Sequence, residues 1–507
     1  MNYTARSRSQ LVMFAGVVAM VVTACSAPAA APPATSAPAA APTTTAPAAA
    51  SPAAAASPAA VASPAAAPAG SPAASPGASP ASSPGASPAA SPSPAAAGAT
   101  TGAAPAAAAA PPTGTPITVG VMDDVTGVGA IEGALMRIST DLVVQRTNAT
   151  GGINGHPLKV VYVDPKGDAT QALDLATQLA QQDNVDVLAG GLFSPECLGV
   201  EGLASKLQLV YIATNGCASD VLTSQQCDKY TFRVYPAGNQ TFAPTTKAEV
   251  EQLGTKWGII YPDYALGQSN LQSLQTALQA DGAELQQQNQ IAVPLGEPNV
   301  TPYVTKVPTD GSIQVLQISE TGTDLARVMS VIAQFGINQK LAIVTGLGKE
   351  SFAGVYPDAL NGAYITGTRP SDGIPGNADD ARYIADWLAV AKGQDADFLG
   401  PLGGADHVTP GSNNGYNAYL SMMSLVYAMR QANFTGKADT DKLVSAFANL
   451  NVPQGPDFPD GPVIINPDDH QGRTNYYLLK VDGQKEDVVQ TFPADSLPMI
   501  GSCKIPS

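Results

Sequence analysis

The sequence predicts an α/β fold of two lobes, each a parallel sheet covered by helices, behind a long linker without a core of its own. Short β-branched runs alternate with longer amphipathic runs from residue 116 onward, and the alternation starts again after Tyr235. Strands separated by helical runs are typical of βαβ units with parallel strands. Residues 116–507 are too many for one hydrophobic core and enough for two.

The chain starts with the layout of a secretion signal. Arg6 and Arg8 precede an apolar run at 11–22, which is shorter than the roughly 20 residues of a transmembrane helix. This order predicts a cleaved signal peptide, residues 1–24. The Val-Thr-Ala triplet before Cys25 resembles the bacterial lipobox, which implies a lipidated Cys25 anchored to the outer face of the cell membrane. An ordinary signal peptide with a chance cysteine is the alternative.

A linker without core-forming residues follows. Residues 26–115 are almost entirely Ala, Pro, Ser, Gly and Thr, with no charged or aromatic residue. Such a segment has little to bury against the entropy of ordering, so residues 25–115 are expected to be disordered. The prolines favour extended polyproline II, at about 3.1 Å per residue. We therefore expect a spacer, whose Ser and Thr side chains are open to glycosylation.

The first lobe follows from the period of its apolar residues. β-branched runs predict strands, and amphipathic runs of ten residues or more predict helices. The predicted strands are 117–122, 158–163, 185–189 and 210–213, and the predicted helices are 131–147, 169–182 and 197–207.

The second lobe repeats this pattern. Its predicted helices are 240–253, 270–281 and 324–335, and its predicted strands are 257–261, 290–293, 315–318 and 341–344. Ligands of open α/β sheets bind beyond the carboxyl ends of the strands. Two such sheets facing each other predict a binding cleft.

Charge and composition exclude several classes of function. A net charge of −16, from 25 Lys and Arg against 41 Asp and Glu, argues against a nucleic-acid partner. The 3 histidines lack His or Cys partners at zinc-ligand spacing, and the chain has no nucleophile elbow and no Walker phosphate loop. We therefore expect no enzyme, no metal and no cofactor.

Cysteine number predicts disulfides. Beyond Cys25, an even set of cysteines remains, which in an oxidising compartment predicts two bridges with three open pairings. These cysteines are Cys197, Cys217, Cys227 and Cys503.

Specific loops resemble those of type I periplasmic binding proteins, of the leucine/isoleucine/valine-binding type of ABC transporter receptor. The matching segments are Asp124-Val-Thr-Gly behind the first strand, Asn148-Ala-Thr-Gly-Gly-Ile-Asn-Gly, Tyr230-Thr-Phe-Arg, Tyr264-Ala-Leu-Gly and Asp468-Asp-His-Gln. Their order and spacing make the set stronger than any one loop. The resemblance implies two Rossmann-like lobes with parallel sheets, joined by a three-stranded hinge that closes on a small molecule.

The resemblance also implies how the chain divides. Lobe one would contain residues 116–235 and 368–455, and lobe two residues 236–367 and 456–507 with the C-terminal tail. A helix at 414–433 would return to lobe one, and a strand at 463–465 would return to lobe two.

Lobe one would bind a ligand carboxylate. In amino-acid-binding members, the loop after the third strand supplies a serine hydroxyl and backbone N–H groups, and here that loop holds Ser194, Pro195 and Glu196. A helix N-terminus favours an anion, although Pro195 removes a donor and Glu196 adds negative charge. The alternative is that Ser194 is only a helix N-cap.

The next contact segment implied by the resemblance is Cys217, Ala218 and Ser219. Ala218 stands where the family usually has a threonine, so Ser219 would have to supply the hydroxyl group.

In lobe two, the sequence differs from the amino-acid-binding members of the family. Tyr264 and Leu266 flank the aromatic position that covers the ligand, with simple packing as the alternative for Tyr264. Leu347 stands where the family has the acid that holds the ligand ammonium. Glu320 is the candidate replacement, with a solvated loop carboxylate as the alternative, and Asp124 is a further candidate, with an Asx turn as its alternative. Without such a charge, an apolar or aromatic acid or an amide fits better than an α-amino acid.

The resemblance also favours one disulfide pairing. Cys197 and Cys217 would lie just past adjacent strand ends, and Cys227 with Cys503 would then hold the tail against lobe one. Each pairing requires Cα atoms within about 7 Å.

The predicted function is that of an extracytoplasmic solute-binding receptor of an ABC importer, periplasmic or at the cell surface. It would be a lipid-anchored monomer that captures an amino acid or related small organic molecule by hinge closure and presents it to an ABC permease. A sensor module that feeds a membrane receptor is the alternative. A surface hydrolase conflicts with the missing catalytic motifs.

Overall fold

The computed structural model describes residues 110–218, 227–498 and 504–505. The predicted signal peptide, Cys25 and the linker up to residue 109 lie outside these ranges, as do Ser219 and Cys503. All described residues belong to one compact unit, Ala99–Ser507.

The first sheet consists of parallel strands enclosed by helices. Its strands are β1 Ile117–Met122, β2 Leu158–Val163, β3 Val187–Gly190, β4 Tyr211–Ala213 and β5 Thr231–Arg233, and the helices between them are α1 Ala130–Ala149, α2 Ala169–Gln181 and α3 Ser194–Leu207. The strand order is β2-β1-β3-β4-β5, and every neighbouring pair is parallel. Val187 and Ala189 lie in one hydrophobic core and Leu188 in another, so both faces of the sheet are buried.

The second sheet is larger and has a mixed edge. Its strands are β6 Lys256–Pro262, β7 Glu284–Val293, β8 Val315–Ile318, β9 Ala342–Thr345, β10 Tyr364–Gly367, β14 Tyr476–Asp482 and β15 Lys485–Phe492. The order is β15-β14-β10-β9-β8-β6-β7. β6 to β10 pair in parallel, whereas β14 and β15 are antiparallel. The sequence pattern did not predict this edge, which forms because a two-residue turn between Asp482 and Lys485 permits only antiparallel pairing.

Helices cover the second sheet. They are α4 Gly238–Leu253, α5 Ala265–Ala280, a short α6 Thr301–Val304 and α7 Gly322–Gln334. α5 starts at Ala265, earlier than the apolar pattern predicted, because Gly267, Gln268 and Ser269 interrupt the apolar period of a buried face.

Later helices return to the first lobe. They are α8 Ala378–Lys392, a short α9 Ala396–Leu399, α10 Asn414–Ala432 and α11 Thr440–Ala448. α10 packs against α1, and Leu420 of α10 shares a hydrophobic core with Leu135 and Ile138 of α1.

A small third sheet lies beside the first lobe. It contains β11 Asn451–Val452, β12 Val463–Ile465 and β13 Gly472–Arg473. The expected placement of the strand 463–465 in lobe two is wrong, because Val463 and Ile465 lie in the first lobe's hydrophobic core. The chain enters the second sheet again only at Tyr476. The other predicted lobe boundaries stay a prediction.

The chain passes between the two large sheets three times. It crosses after β5, returns after β10, and crosses again between β13 and β14. The predicted α/β fold with two joined lobes is confirmed. A cleft beside these crossings is therefore bounded by both lobes.

Candidate functional site

A cavity lies where the lobes meet. It encloses about 170 Å³ of space for water-sized molecules. Asn215 to Cys217 bound it beyond the end of β4, and residues 319–321 and 346–347 bound it beyond β8 and β9. The segments after β5 and β10 also line it, so the cavity has the position expected for an α/β ligand site.

Amides and a hydroxyl group form a bonded network on the lobe-one wall. Asn215 Nδ2 donates to Asn414 Oδ1 at 2.7 Å, and Asn417 Nδ2 donates to Asn215 Oδ1 at 3.2 Å. Thr368 Oγ1 donates to Asn417 Oδ1 at 3.0 Å. This network fixes the side chains of the wall before any ligand arrives.

Asn413 connects this wall to the second lobe. Its Nδ2 donates to the backbone carbonyl groups of Gly346, at 2.6 Å, and Thr366, at 3.1 Å. Because Gly346 follows β9 and Thr366 belongs to β10, the start of α10 is bonded to the second sheet. The structure thus represents an arrangement in which the lobes touch.

One face of α4 forms another wall. Thr241, Thr245 and Glu249 follow each other at four-residue spacing, which places them on the same side of the helix. Glu249 is 1 % exposed, and burial raises the pKa of its carboxyl to about 8. The sequence analysis did not identify Glu249. The signal that marks it is a polar stripe on the buried face of a predicted helix.

Glu320 lines the cavity beyond the end of β8. It is 2 % exposed, so the alternative of a solvated loop carboxylate does not hold. Burial raises the pKa of its carboxyl to about 8; nearby Asp324 also raises it, and Arg327 opposes the shift. Within the described part of the chain, neither carboxylate oxygen of Glu320 has a hydrogen-bond partner.

The predicted carboxylate loop has a different role in this structure. Ser194 does not line the cavity; its Oγ accepts a hydrogen bond from the Ala218 backbone N–H at 3.0 Å. Glu196 Oε2 accepts from the N–H groups of Leu192, at 3.3 Å, and Phe193, at 3.1 Å. Ser194 therefore joins two loops rather than capping α3, and Glu196 holds its own loop. Pro195 occupies the first turn of α3, where a missing N–H costs little.

A disulfide holds the same two loops together. Cys197 and Cys217 are bonded, with their Cα atoms 6.1 Å apart, in the pairing that the resemblance favoured. Arg233 Nη1 donates to the backbone carbonyl groups of Cys217, at 2.8 Å, and Ala218, at 2.9 Å. Cys227 is also disulfide-bonded, and its expected partner Cys503 lies outside the described residues.

Comparison with known families decides the class of the chain. The sequence profile of a family described as periplasmic binding protein matches residues 116–486. The chain belongs to this family. Membership implies an extracytoplasmic location. The family is a class of solute-binding proteins, which are generally not enzymes.

Curated relatives agree with this assignment. A Leu/Ile/Val-binding protein homolog 6 from Brucella melitensis is 22% identical over 367 residues, covering 72% of this chain and 87% of the relative. An amino acid binding protein from Pseudomonas aeruginosa is 24% identical over 196 residues, covering 33% of this chain and 52% of the relative.

Solved structures share the fold. A solute-binding protein of an ABC transporter from Rhodopseudomonas palustris BisB5, in complex with 3,4-dihydroxybenzoic acid, has a TM-score of 0.63 at 19% identity and covers 75% of this chain and 97% of its own. Another R. palustris protein, in complex with benzoate, has a TM-score of 0.64 at 19% identity, covering 77% and 99%. A leucine-binding protein from Thermotoga maritima has a TM-score of 0.60 at 15% identity, covering 75% and 100%.

In this periplasmic binding protein, Tyr264 touches the opposite lobe. Its ring packs edge-on against Phe193, with the ring centroids 6.1 Å apart. Burial raises the pKa of the Tyr264 phenol far above its ordinary value, and the nearby carboxyl groups of Glu132 and Glu320 add to the shift. Leu266, in the first turn of α5, lines the cavity, whereas Tyr264 does not.

Leu347 and Asp124 complete the predicted set. Leu347 lines the cavity as an apolar side chain packed into the second lobe's core. Asp124 does not line the cavity; it accepts a hydrogen bond from the Gly167 N–H at 2.6 Å, which differs from an Asx turn. Burial, together with the neighbouring carboxyl of Glu196, raises the pKa of Asp124 to about 8.

Of the predicted site residues, Cys217, Leu266, Glu320 and Leu347 therefore share the cavity. Ala218, Ser194, Pro195 and Glu196 lie in the loops that support it.

The described part of this periplasmic binding protein lacks two kinds of feature. Within residues 110–218, 227–498 and 504–505, no helix is long and apolar enough to cross a membrane. In the same ranges, no group of three or more His, Cys, Asp or Glu side chains is placed to hold a metal ion.

Proposed function

We propose that the protein is the solute-binding receptor of an ABC importer and captures an amino acid or related small organic molecule by closing its lobes. The observation that carries the proposal is the cavity at the strand ends, which is lined by apolar side chains and by amide, hydroxyl and carboxyl groups and is bounded by both lobes and by their crossings. The similar R. palustris proteins hold benzoates in their structures, and the T. maritima protein is named a leucine-binding protein. These names support a small organic ligand.

Ligand-induced closure of the lobes is expected because the walls of the cavity belong to both lobes. A molecule in the cavity touches Asn414 of lobe one and Glu320 of lobe two at the same time. It makes both sets of contacts only when the lobes are closed, so it stabilises that state. The closed state then presents the ligand to an ABC permease.

The N-terminal region has a part in the same proposal. Cys25 carries the lipid that holds the receptor at the membrane, and the Ala/Pro/Ser-rich segment separates the folded lobes from that anchor. In this proposal the receptor acts as a monomer.

Thermal unfolding tests the proposal. The purified chain is heated with amino acids, aromatic acids, amides, amines and urea. A true ligand raises Tm as its concentration rises, because it binds the folded state, with about 2.7 kcal/mol of stabilisation at 100 times Kd. An unchanged Tm across the whole panel would count against the transport proposal, as would turnover of a bound compound.

A further inference from the structure

Among the described residues, the cavity is lined by acidic side chains and by no basic one. Its charged lining residues are Glu249 and Glu320, and no Lys, Arg or His of the described chain lines it. The two carboxylates come from different elements, α4 and the loop after β8. A ligand cation would let both groups ionise and pair with it, whereas a ligand carboxylate would meet two acids and no basic lining residue.

These carboxylates lack partners. Both oxygens of Glu320 and Oε1 of Glu249 have no hydrogen-bond partner among the described residues, although both side chains are more than nine-tenths buried. A buried ionised carboxylate is costly unless it is paired and hydrogen-bonded. Without a cation hydrogen-bonded to them, the groups respond by keeping protons, as their raised pKa values indicate, although Arg327 partly opposes the shift at Glu320.

Several donors in the wall are already in use. Thr245 Oγ1 donates to the Thr241 carbonyl, Asn215 Nδ2 donates to Asn414 Oδ1, and Asn417 Nδ2 donates to Asn215 Oδ1. Asn414 Nδ2 and the Tyr235 hydroxyl group, which both line the cavity, are buried donors without a partner among the described residues. They offer neutral donors beside three free carboxylate oxygens, which suits a ligand with a cationic end and a neutral acceptor.

We infer that this cavity selects a small organic cation, a protonated amine or amidinium, which Glu249 and Glu320 bind, and that it rejects the carboxylate of the same shape. The inference rests on the proposed receptor function and narrows its ligand class. Leu266 and Leu347 supply an apolar wall for the ligand's carbon skeleton. The expected ligand therefore differs in charge from the benzoate that is bound in the similar R. palustris protein.

Matched probes test the inference. Calorimetric titration of the chain compares benzylamine, benzamide and benzoate, and likewise isoamylamine, isovaleramide and isovalerate. We expect each amine that binds to do so at least tenfold more tightly than its acid. The E249Q and E320Q variants should each lose at least tenfold in amine affinity, and the double variant more.

A control variant on the same helix separates the effect of a carboxyl group in the cavity from that of a surface charge. Glu251 is exposed on α4, two residues from Glu249, and E251Q should leave amine affinity unchanged. Unliganded Tm separates binding from structural support. Removing an uncompensated buried charge should keep or raise the Tm of E249Q and E320Q at pH 9, whereas a lowered Tm in both variants would overturn the inference.

Other outcomes discriminate between the two proposals. Acids that bind as tightly as the amines would overturn the cation inference and leave the receptor function standing. Amine binding that survives in the double variant would do the same. If no member of either series nor of the wider panel binds, the receptor proposal fails, and the ligand inference fails with it.

Discussion

At the scale of single residues, Glu320 is the buried acid that lines the cavity from lobe two. The acid expected after β9 is replaced by Leu347, which packs into the second core, and the charge lies instead after the neighbouring strand β8. Adjacent parallel strands end at the same edge of the sheet. A carboxylate in the loop after β8 can therefore face the same cavity as one in the loop after β9.

The pH dependence of stability follows from this burial. The carboxyl pKa of Glu320 rises from 4.5 to about 8 in the folded chain, where Asp324 adds to the shift and Arg327 opposes it. The folded state then holds a proton that the unfolded state has lost, so stability falls as pH rises between these values. We expect unliganded wild type to lose up to about 1.4 kcal/mol per pH unit relative to E320Q.

Urea unfolding at pH 5, 6.5 and 8 measures this difference. Comparison with E320Q removes the contributions of the other buried acids, such as Glu132 and Asp124, which are present in both chains. Parallel stability curves for the two proteins would show that Glu320 is ionised, or paired, in the folded state.

At the scale of elements, the start of α7 meets α1 across the lobes. Gly322 has φ +49°, and a Cβ placed there would lie 2.6 Å from Glu132 Oε1. Glu132 belongs to the first turn of α1. Burial raises the pKa of the Glu132 carboxyl to about 7, and Glu350 and Asp324, the latter in the first turn of α7, add to the shift, so this contact between the lobes is one of close packing rather than of ion pairing.

We therefore expect G322A to weaken ligand binding. Alanine in the left-handed region costs about 1 kcal/mol, and its methyl group would displace Glu132 from the closed contact. Gly282 is the matched control, since it has φ +70° and no atom within 4 Å of the position that an alanine methyl group would take. G282A should lose similar stability but keep its affinity. Equal affinities for both variants would contradict a closing role for this contact.

The disulfide between Cys197 and Cys217 also connects two elements. It joins the first turn of α3 to the loop after β4, across a sequence separation of 20. Replacing both cysteines by serine should lower the free energy of unfolding by about 3 kcal/mol, chiefly because the unfolded chain regains freedom. Chemical denaturation measures the loss.

The same variant should bind ligand more weakly, because Cys217 lines the cavity and the bond holds its loop. Unchanged affinity at a temperature where the variant is fully folded would limit the disulfide to a role in stability.

At the scale of the whole molecule, the sequence predicts attachment to the membrane through Cys25. The lipobox-like triplet before Cys25 predicts a lipidated N-terminus. We expect C25A to be recovered from the culture medium or the soluble fraction, and wild type from membranes, because two or more acyl chains give stable anchoring. Fractionation with mass spectrometry of the N-terminal peptide measures both. A wild-type N-terminal peptide with an unmodified Cys25 thiol would contradict lipidation.

The sequence by itself determined the local elements and the class of fold. Strands β1, β2 and β8 occupy the predicted residues, and α1, α2 and α4 differ only at their ends. These elements were predictable because the alternation of apolar residues reflects burial on each element alone. Loop sequences also indicated the family, since a strand end followed by a glycine-containing turn is a local feature.

Tertiary structure decided several features that depend on distant segments. The strand β12 joined the first lobe's core, β14 and β15 formed an antiparallel edge, and Ser194 bonded to Ala218 rather than lining the cavity. Glu249 became a cavity residue because α4 turns that face toward β8 and β14. Periodicity shows which face of an element is buried. It does not show what lies opposite, since that depends on how the crossings of the chain bring the two sheets together.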